Sequence, residues 1–449
     1  MSIKIAFVSL GCDKNLVDSE VMVGLCNNDK EIETVSDESK ADIIVVNTCC
    51  FIQDALEESI EAIVEMGKMK EDGNCKGLIV AGCLGQRYEK EIFEEMPEVD
   101  AVIGTTSYEK VVEVAKEVYD GKKQIKEISD IDNAMDNEEN SYSRIISTAG
   151  HFAYLKIAEG CDNHCTYCVI PSLRGKYRSR HMESLIKEAE ILAKQDVKEI
   201  ILVAQDTALY GKDLYGESKL HELLENLCKV EGIEWIRVLY CYPEHITNET
   251  IDVMAREDKI CKYLDMPIQH ACDTVLRRMG RRNTAGIIEE KVNLLREKMP
   301  DITLRTTVIT GFPGETEEEF NFLMDFVEKT KFDRLGAFTY SQEEGTPAAI
   351  MKDQIDEDIK AERKEKIMLL QKDISMAKCS EAIGKTFKVI IEGRLAEDQN
   401  VYCARSEKDA PDIDAMVFVR SEEELLTGDF VMVKITEAGD YDLYGEVAE

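Results

Sequence analysis

No apolar run in the chain reaches the roughly 18 residues that a membrane-spanning helix needs. The opening Met1-Ser2-Ile3-Lys4-Ile5-Ala6-Phe7 lacks the basic segment and cleavable apolar stretch of an export signal, and reads as the first strand of a folded domain. No membrane partner is expected, and the expected location is the cytoplasm. Positive charge is scarce as well: 55 basic residues stand against 90 acidic ones in 449, a net charge of −35. That balance repels a phosphate backbone at long range and favours a basic partner. Much of it is a solvated surface, so local basic patches leave nucleic-acid contact open, but nucleic acid is not the expected substrate. The 15 cysteines are odd in number and accompany no export signal, which argues against a disulfide framework and for reduced thiols, some of them metal ligands.

What is present is repeated alternation of strand-like and helical stretches. The 44% hydrophobic content is that of a globular protein, and the length suggests about three domains. Residues 1–125 place strands at Ile3–Leu10, Asp42–Asn47, Leu78–Ala81 and Ala101–Ile103, with helices at Leu16–Leu25, Asp54–Lys68 and Tyr108–Tyr119 between them. This is the pattern of an α/β domain with a doubly wound parallel sheet. An acidic, Asn-rich stretch at Asp130–Asn140 marks a linker, taken as 126–149.

Residues 150–378 carry a second series of six β/α units, with strands at Phe152–Ala158, Glu199–Ala204, Trp235–Tyr240, Tyr263–Pro267, Leu304–Thr310 and Leu335–Tyr340. Six units fit a partial (β/α) barrel whose active site lies at the carboxyl ends of its strands, and 355–378 reads as a long charged helix leading out. Residues 379–449 change to β-rich runs at Thr386–Ile391, Ala415–Val419 and Phe430–Ile435, the pattern of a small all-β barrel. From 380 to 449 there are 17 acidic and 7 basic residues, a net charge of −10.

The densest chemical signal is Glu159-Gly160-Cys161-Asp162-Asn163-His164-Cys165-Thr166-Tyr167-Cys168, a C-x3-C-x2-C loop after the first barrel strand. Cubane iron–sulfur clusters normally take four cysteine thiolates, so three leave one iron open to chelate a small molecule. A structural zinc site more often pairs C-x2-C with a second distant pair, which does not follow here. His164, between two of the cysteines, is read as lining the loop. The loop resembles the radical S-adenosylmethionine (SAM) superfamily. That resemblance implies a [4Fe-4S] cluster whose open iron binds SAM and whose electron cleaves it to methionine and a 5′-deoxyadenosyl radical.

Three further cysteines share one setting: Cys12 follows the first strand, Cys49 the second and Cys83 the third. The carboxyl ends of a parallel sheet gather on one edge where ligands bind, so the three converge on a second thiolate site. Cys26, Cys75, Cys228, Cys241, Cys261, Cys272, Cys379 and Cys403 are read as buried core thiols. Gly11-Cys12, Asn15, Asp18-Ser19-Glu20, Asn47-Thr48-Cys49 and Gly82-Cys83 together resemble the methylthiotransferases, radical SAM enzymes with an extra N-terminal cluster and a C-terminal barrel of the TRAM type. Cys50 departs from the glycine usual there, which leaves Cys49 and Cys50 as alternative ligands, with Cys49 favoured by the motif.

Polar groups at barrel strand ends read as ligand contacts: Ala204-Gln205-Asp206-Thr207, Pro267-Ile268-Gln269-His270 and Gly311-Phe312-Pro313-Gly314-Glu315. The resemblance implies that Gln205 and Asp206 bind the SAM amino group and that Gly311 to Gly314 lie near adenine with Tyr167 beside it. Arg305 pairs either with a carboxylate of the cofactor or in a salt bridge inside the barrel. No catalytic side chain is assigned. Lys176, Arg178, Arg180 and His181, interleaved with Tyr177, suit either RNA contact or local pairing with acidic neighbours.

Leu173-Arg174-Gly175-Lys176-Tyr177-Arg178-Ser179-Arg180, Tyr210-Gly211-Lys212-Asp213-Leu214-Tyr215-Gly216 and Tyr240-Cys241-Tyr242-Pro243-Glu244-His245 are similar to the branch that modifies an aspartate of ribosomal protein S-twelve. The implied partners are that protein or the small ribosomal subunit, an electron donor and a sulfur source. The implied cofactors are two [4Fe-4S] clusters and SAM, used twice: as methyl donor and as radical source. The alternatives are a transfer RNA adenosine methylthiotransferase and a non-catalytic iron–sulfur carrier.

Overall fold

The computed structural model describes residues 2–73, 75–132 and 138–448. Its first sheet holds β1 (Ile3–Ser9), β2 (Ile32–Thr34), β3 (Ile43–Thr48), β4 (Gly77–Gly82), β5 (Ala101–Ile103) and β6 (Ile125–Glu127), all parallel, in the order β2-β1-β3-β4-β5-β6. β3 and β4 are buried along their whole length, because helices cover both faces. A strand with no solvent side reads as a continuous apolar run, as Ile43-Ile44-Val45-Val46 does. The strand order reverses at β1, so the carboxyl ends of β1 and β3 flank a crevice. β2 and β6, three residues each and partly exposed, lack the apolar run that marks the equally short but buried β5.

The second sheet is made by β7 (Phe152–Lys156), β10 (Glu199–Val203), β11 (Trp235–Val238), β12 (Ile260–Asp265), β13 (Thr303–Thr310) and β14 (Arg334–Thr339). Between the first two of these lies a ribbon of two-residue strands, β8 (Ala158–Glu159) and β9 (Arg178–Ser179). The sheet is parallel with β7 and β14 as its free edges, an open partial barrel. The expected strand Phe152–Ala158 is interrupted at Ile157, whose N–H bonds to Val203 and whose carbonyl accepts from Arg180. The long charged helix runs Glu357–Glu381 and packs on β14 and β13.

The third sheet closes into a five-strand barrel of β15 (Thr386–Arg394), β16 (Val401–Ser406), β17 (Val417–Arg420), β18 (Phe430–Ala438) and β19 (Leu443–Val447). β16 and β19 were not among the expected strands. It docks on the amino ends of the partial barrel. Arg405 meets Glu199 at 2.6 Å, Arg237 meets Glu199 at 2.7 Å, and the Trp235 and Phe430 rings lie 4.8 Å apart.

The expected linker is in part a packed joint. Residues 133–137 lie outside the described residues, but Arg144 is buried 3.3 Å from Glu188 and 3.7 Å from Glu20, and Ser147 donates to Glu20 at 2.7 Å through its N–H. Among the described residues no helix is long and apolar enough to cross a membrane.

Candidate active site

The loops at the carboxyl ends of the first sheet meet the loops at the carboxyl ends of the partial barrel. Cys12 caps the helix Asp13–Asn28, and Gly82 caps the short helix that opens with Cys83. Gly11, at φ +87°, runs so close to Cys49 that a Cβ there would lie 2.5 Å from the Cys49 Cβ and 3.1 Å from its Sγ. The Asn15 amide holds these loops together. It donates to the Thr48 carbonyl at 2.8 Å and the Leu10 carbonyl at 3.1 Å, and the Cys83 Sγ lies 3.9 Å from its Oδ1. Cys12, Cys49 and Cys83 are thereby brought to one place. The Cys50 side chain joins the apolar core against Ile63, and its carbonyl accepts from Arg87.

Cys161, Cys165 and Cys168 fold into a tight loop in which the Cys168 N–H bonds to the Cys165 carbonyl at 3.1 Å. Backbone N–H groups point at two of its sulfurs: Asn163 at Cys161 (3.4 Å) and Ile170 at Cys168 (3.5 Å). Hydrogen bonds to sulfur are among the features that tune iron–sulfur clusters. Burial pushes the Cys161 thiol up to about 11 and Cys83 to about 12, and raises Cys49 and Cys168, with charge on neighbouring thiols adding to each. Such thiols are neutral alone and ionise when a metal binds. Among the described residues no three His, Cys, Asp or Glu converge on a single metal ion. A cluster of four irons and four sulfides fills more room than one ion, and the two thiol sets fit it as donors.

Around the barrel loop, Gln205 donates to Glu159 at 3.0 Å while its Oε1 is buried with no hydrogen-bond partner, an acceptor suited to an ammonium group. Asp206 is buried, 2.6 Å from His245 Nδ1. The ring of Tyr167 lies 6.5 Å from Phe312, itself 5.4 Å from Tyr340, an aromatic wall beside Gly311 and Gly314. Gly311 is glycine for another reason than ligand approach: at φ +73° a Cβ would lie 2.2 Å from Lys360 Cγ. Gln269 holds φ +67°, a conformation found at functional sites, and its backbone bridges to β13 through Thr307 and Ile309.

Arg305 is a correction to the cofactor contacts. Its guanidinium is taken by Asp265 at 2.8 Å and Asp414 at 3.5 Å, the latter from the C-terminal barrel, so its pairing is the internal salt bridge. The basic segment is likewise mostly internal. Arg180 is buried on Glu188 at 2.7 Å, Arg178 donates to the carbonyls of Lys176 and Arg174, and exposed Lys176 faces Asp132 at 3.6 Å. Cys228, Cys272 and Cys403 are half-buried rather than core.

Between the two thiol sets lies a group of charges that motif reading passed over. Asp18 and Glu159 face Lys156 and Arg174: Arg174 Nη1 is 2.8 Å from Asp18 and 3.0 Å from Glu159, Lys156 is 2.9 Å from Glu159, and Lys156 also bonds Asp18. All four are buried. Burial opposes the Arg174 charge, but the carboxylates of Glu159 and Asp18 together hold it protonated. Lys14 is buried with its ammonium 3.4 Å from the Tyr240 ring centroid, and Tyr240 sits at φ +55°.

Residues 4–104 match the Uncharacterized protein family UPF0004, residues 155–327 the Radical SAM superfamily and residues 383–448 the TRAM domain. The chain is 54% identical over 442 residues to the ribosomal protein uS12 methylthiotransferase RimO of Lachnoclostridium phytofermentans, covering 98% of this chain and 99% of that one. It is 50% identical to the protein of the same description from Clostridioides difficile, covering 99% of each. The fold is similar to the radical SAM methyltransferase TsrM of Kitasatospora setae, solved with cobalamin and a [4Fe-4S] cluster, at a TM-score of 0.58 and 14% identity over 78% of this chain and 74% of that one.

Proposed function

The chain belongs to the ribosomal protein uS12 methylthiotransferases of the radical SAM superfamily, and we propose that it transfers a methylthio group to the β-carbon of an aspartate in uS12. The observation that carries the reading is the meeting of two separate thiol sets, each with two buried cysteines and one half-buried, at facing strand ends within one packed chain. Cys161, Cys165 and Cys168 would hold one [4Fe-4S] cluster and Cys12, Cys49 and Cys83 another, with Gln205, Asp206, Tyr167, Gln269, Gly311 and Gly314 around SAM. When bound, SAM and the clusters supply a hydrogen-abstracting radical and the methylated sulfur.

The chain's own part is to position and exclude water. The Gln205 Oε1 offers an acceptor to an amino group, and Tyr167, Phe312 and Tyr340 give an apolar wall. The C-terminal barrel shuts the amino ends of the strands, leaving the carboxyl ends to the reaction. The cytoplasm is the proposed location, with an electron donor and a sulfur source as further partners. The test is mass spectrometry of uS12 incubated with reconstituted enzyme, SAM and a reductant. Replacing Cys12, Cys49 and Cys83 together by Ala should abolish the methylthio product and leave SAM cleavage. Thiolated transfer RNA with unmodified uS12 would overturn the reading.

A further inference from the structure

A chain of hydrogen bonds, most of them buried, links residues beside one thiol set to residues beside the other. It starts at Asn15, whose amide ties the loops that lead to Cys12 and Cys49. The Asn15 Oδ1 accepts from Arg174 Nη2. Arg174 ends the short helix Ile170–Arg174, which starts two residues beyond Cys168. Its other nitrogen reaches Asp18, one turn along the helix that starts beyond Cys12, and Glu159, two residues before Cys161. Glu159 in turn accepts from Gln205 at the end of β10 and from Lys156. Each element that carries a barrel cysteine is thus bonded to the helix or loops that carry the N-terminal ones.

We propose that Asn15 and Arg174 are positioning residues that fix where the N-terminal cluster stands over the barrel cluster, and so set how often a SAM cleavage ends in sulfur transfer. The inference rests on the two-cluster reading above. Three physical points carry it. Arg174 bonds residues beside both thiol sets, as Lys156 does, but it also reaches Asn15, and it does so through a planar fork whose nitrogens point in fixed directions. The paired charges are two of each sign, so the group is neutral and can stay buried without drawing in water. Its partners lie in both domains, so loss of the fork frees one domain relative to the other rather than opening either core. The carbon radical formed by the barrel must meet the sulfur at close range, and an error of about 1 Å in such placement can cost about 100-fold in rate.

The experiment compares wild type with Arg174→Lys, which keeps the charge and loses the fork, and Arg174→Gln. Iron content, SAM cleavage, methylthiolated uS12 per 5′-deoxyadenosine, and the magnetic interaction between the two reduced clusters are measured on reconstituted enzyme. The expected result is about eight irons in each protein and continued SAM cleavage. Product per cleavage falls about tenfold in Arg174→Lys and about 100-fold in Arg174→Gln, with a weakened magnetic interaction in both. Full iron with unchanged product yield and unchanged magnetic interaction in Arg174→Gln overturns the proposal. So does a loss of iron with undiminished yield per loaded chain, because the pair then only stabilises the fold. If wild type fails to thiolate uS12, the functional reading falls, while the magnetic interaction still decides the positioning role.

Discussion

Gly160, one residue before Cys161, offers a sharp test of how tightly the barrel loop is built. Its φ is +79°, and a Cβ there would lie 2.0 Å from the Lys176 carbonyl oxygen and 2.6 Å from that of Gly175. Both are backbone atoms of the segment that leads into β9, so neither can swing aside as a side chain would. A left-handed backbone with a Cβ costs about 1–2 kcal/mol by itself. Gly216 supplies the control, since it holds φ +83° with nothing within 4 Å of an added Cβ, so Gly216→Ala bears that cost alone. In Gly160→Ala the segment Gly175-Lys176 must also retreat by more than an ångström. That breaks the Cys161 N–H bond to the Gly175 carbonyl, 3.0 Å long, and strands a buried donor at about 1–3 kcal/mol. Gly160→Ala should therefore cost about 2–5 kcal/mol in all. It should displace Cys161, lower iron from about eight to about four per chain, and lose SAM cleavage. The readouts are thermal denaturation, iron content and 5′-deoxyadenosine formation, with Gly216→Ala alongside. If the two variants melt together and both keep full iron and cleavage, the close contact at Gly160 is not what shapes the loop.

Cys49→Ala should lose about four irons while Cys50→Ala keeps them, because Cys49 faces Gly11 and Cys50 lies in the apolar core; iron content of the two variants with the reverse pattern would exchange their roles. Glu199 is buried, yet Arg405 and Arg237 hold its carboxyl below the ordinary glutamate value. A depressed carboxyl adds stability that is full above the ordinary value of about 4.3 and is lost as pH falls through the folded value. The C-terminal barrel should accordingly loosen on acidification below about pH 4, as read by hydrogen exchange in β15. Glu199→Gln should weaken the joint at neutral pH and flatten that pH response, and an unaltered acid profile would place the sensitivity elsewhere.

The barrel cysteines stand out by their spacing in one loop, and Cys12, Cys49 and Cys83 group because each follows a strand and a parallel sheet brings strand ends together whatever the loops do. The sheets were equally legible where strands are buried on both faces, as at Ile43–Thr48 and even in the three residues Ala101–Ile103, and not where a short strand is partly exposed, as at Ile32–Thr34. The charges between the cysteine sets escaped because a run such as Arg174 to Arg180 has the same composition whether it faces solvent or lies inside. Arg174 and Arg180 are almost wholly buried, held by Asp18, Glu159 and Glu188 from distant parts of the chain. Partner identity at that separation is a property of topology and has no local signature. Arg305 shows the same limit, since Asp414, which helps to occupy it, belongs to a different domain.

With those arginines internal, the surface that meets a partner is more uniformly acidic than the basic run suggests. Glu422, Glu423 and Glu424 are all exposed, and of these Glu424 lies 3.6 Å from Arg394. Complementary charge acts mainly on encounter, and salt screens it over about 8 Å at physiological ionic strength. Association with uS12, taken as a basic protein, should therefore slow as salt rises. An RNA-covered surface is repelled by the same charge, and there added salt should speed association instead. Reversing the three glutamates to Lys should slow binding to isolated uS12, flatten its salt dependence and leave iron content unchanged, since both cysteine sets lie in other domains. Stopped-flow association at a series of salt concentrations separates the cases. Equal rates and equal salt slopes for wild type and the reversed variant would mean that these glutamates only keep the chain in solution and that the substrate approaches by another face.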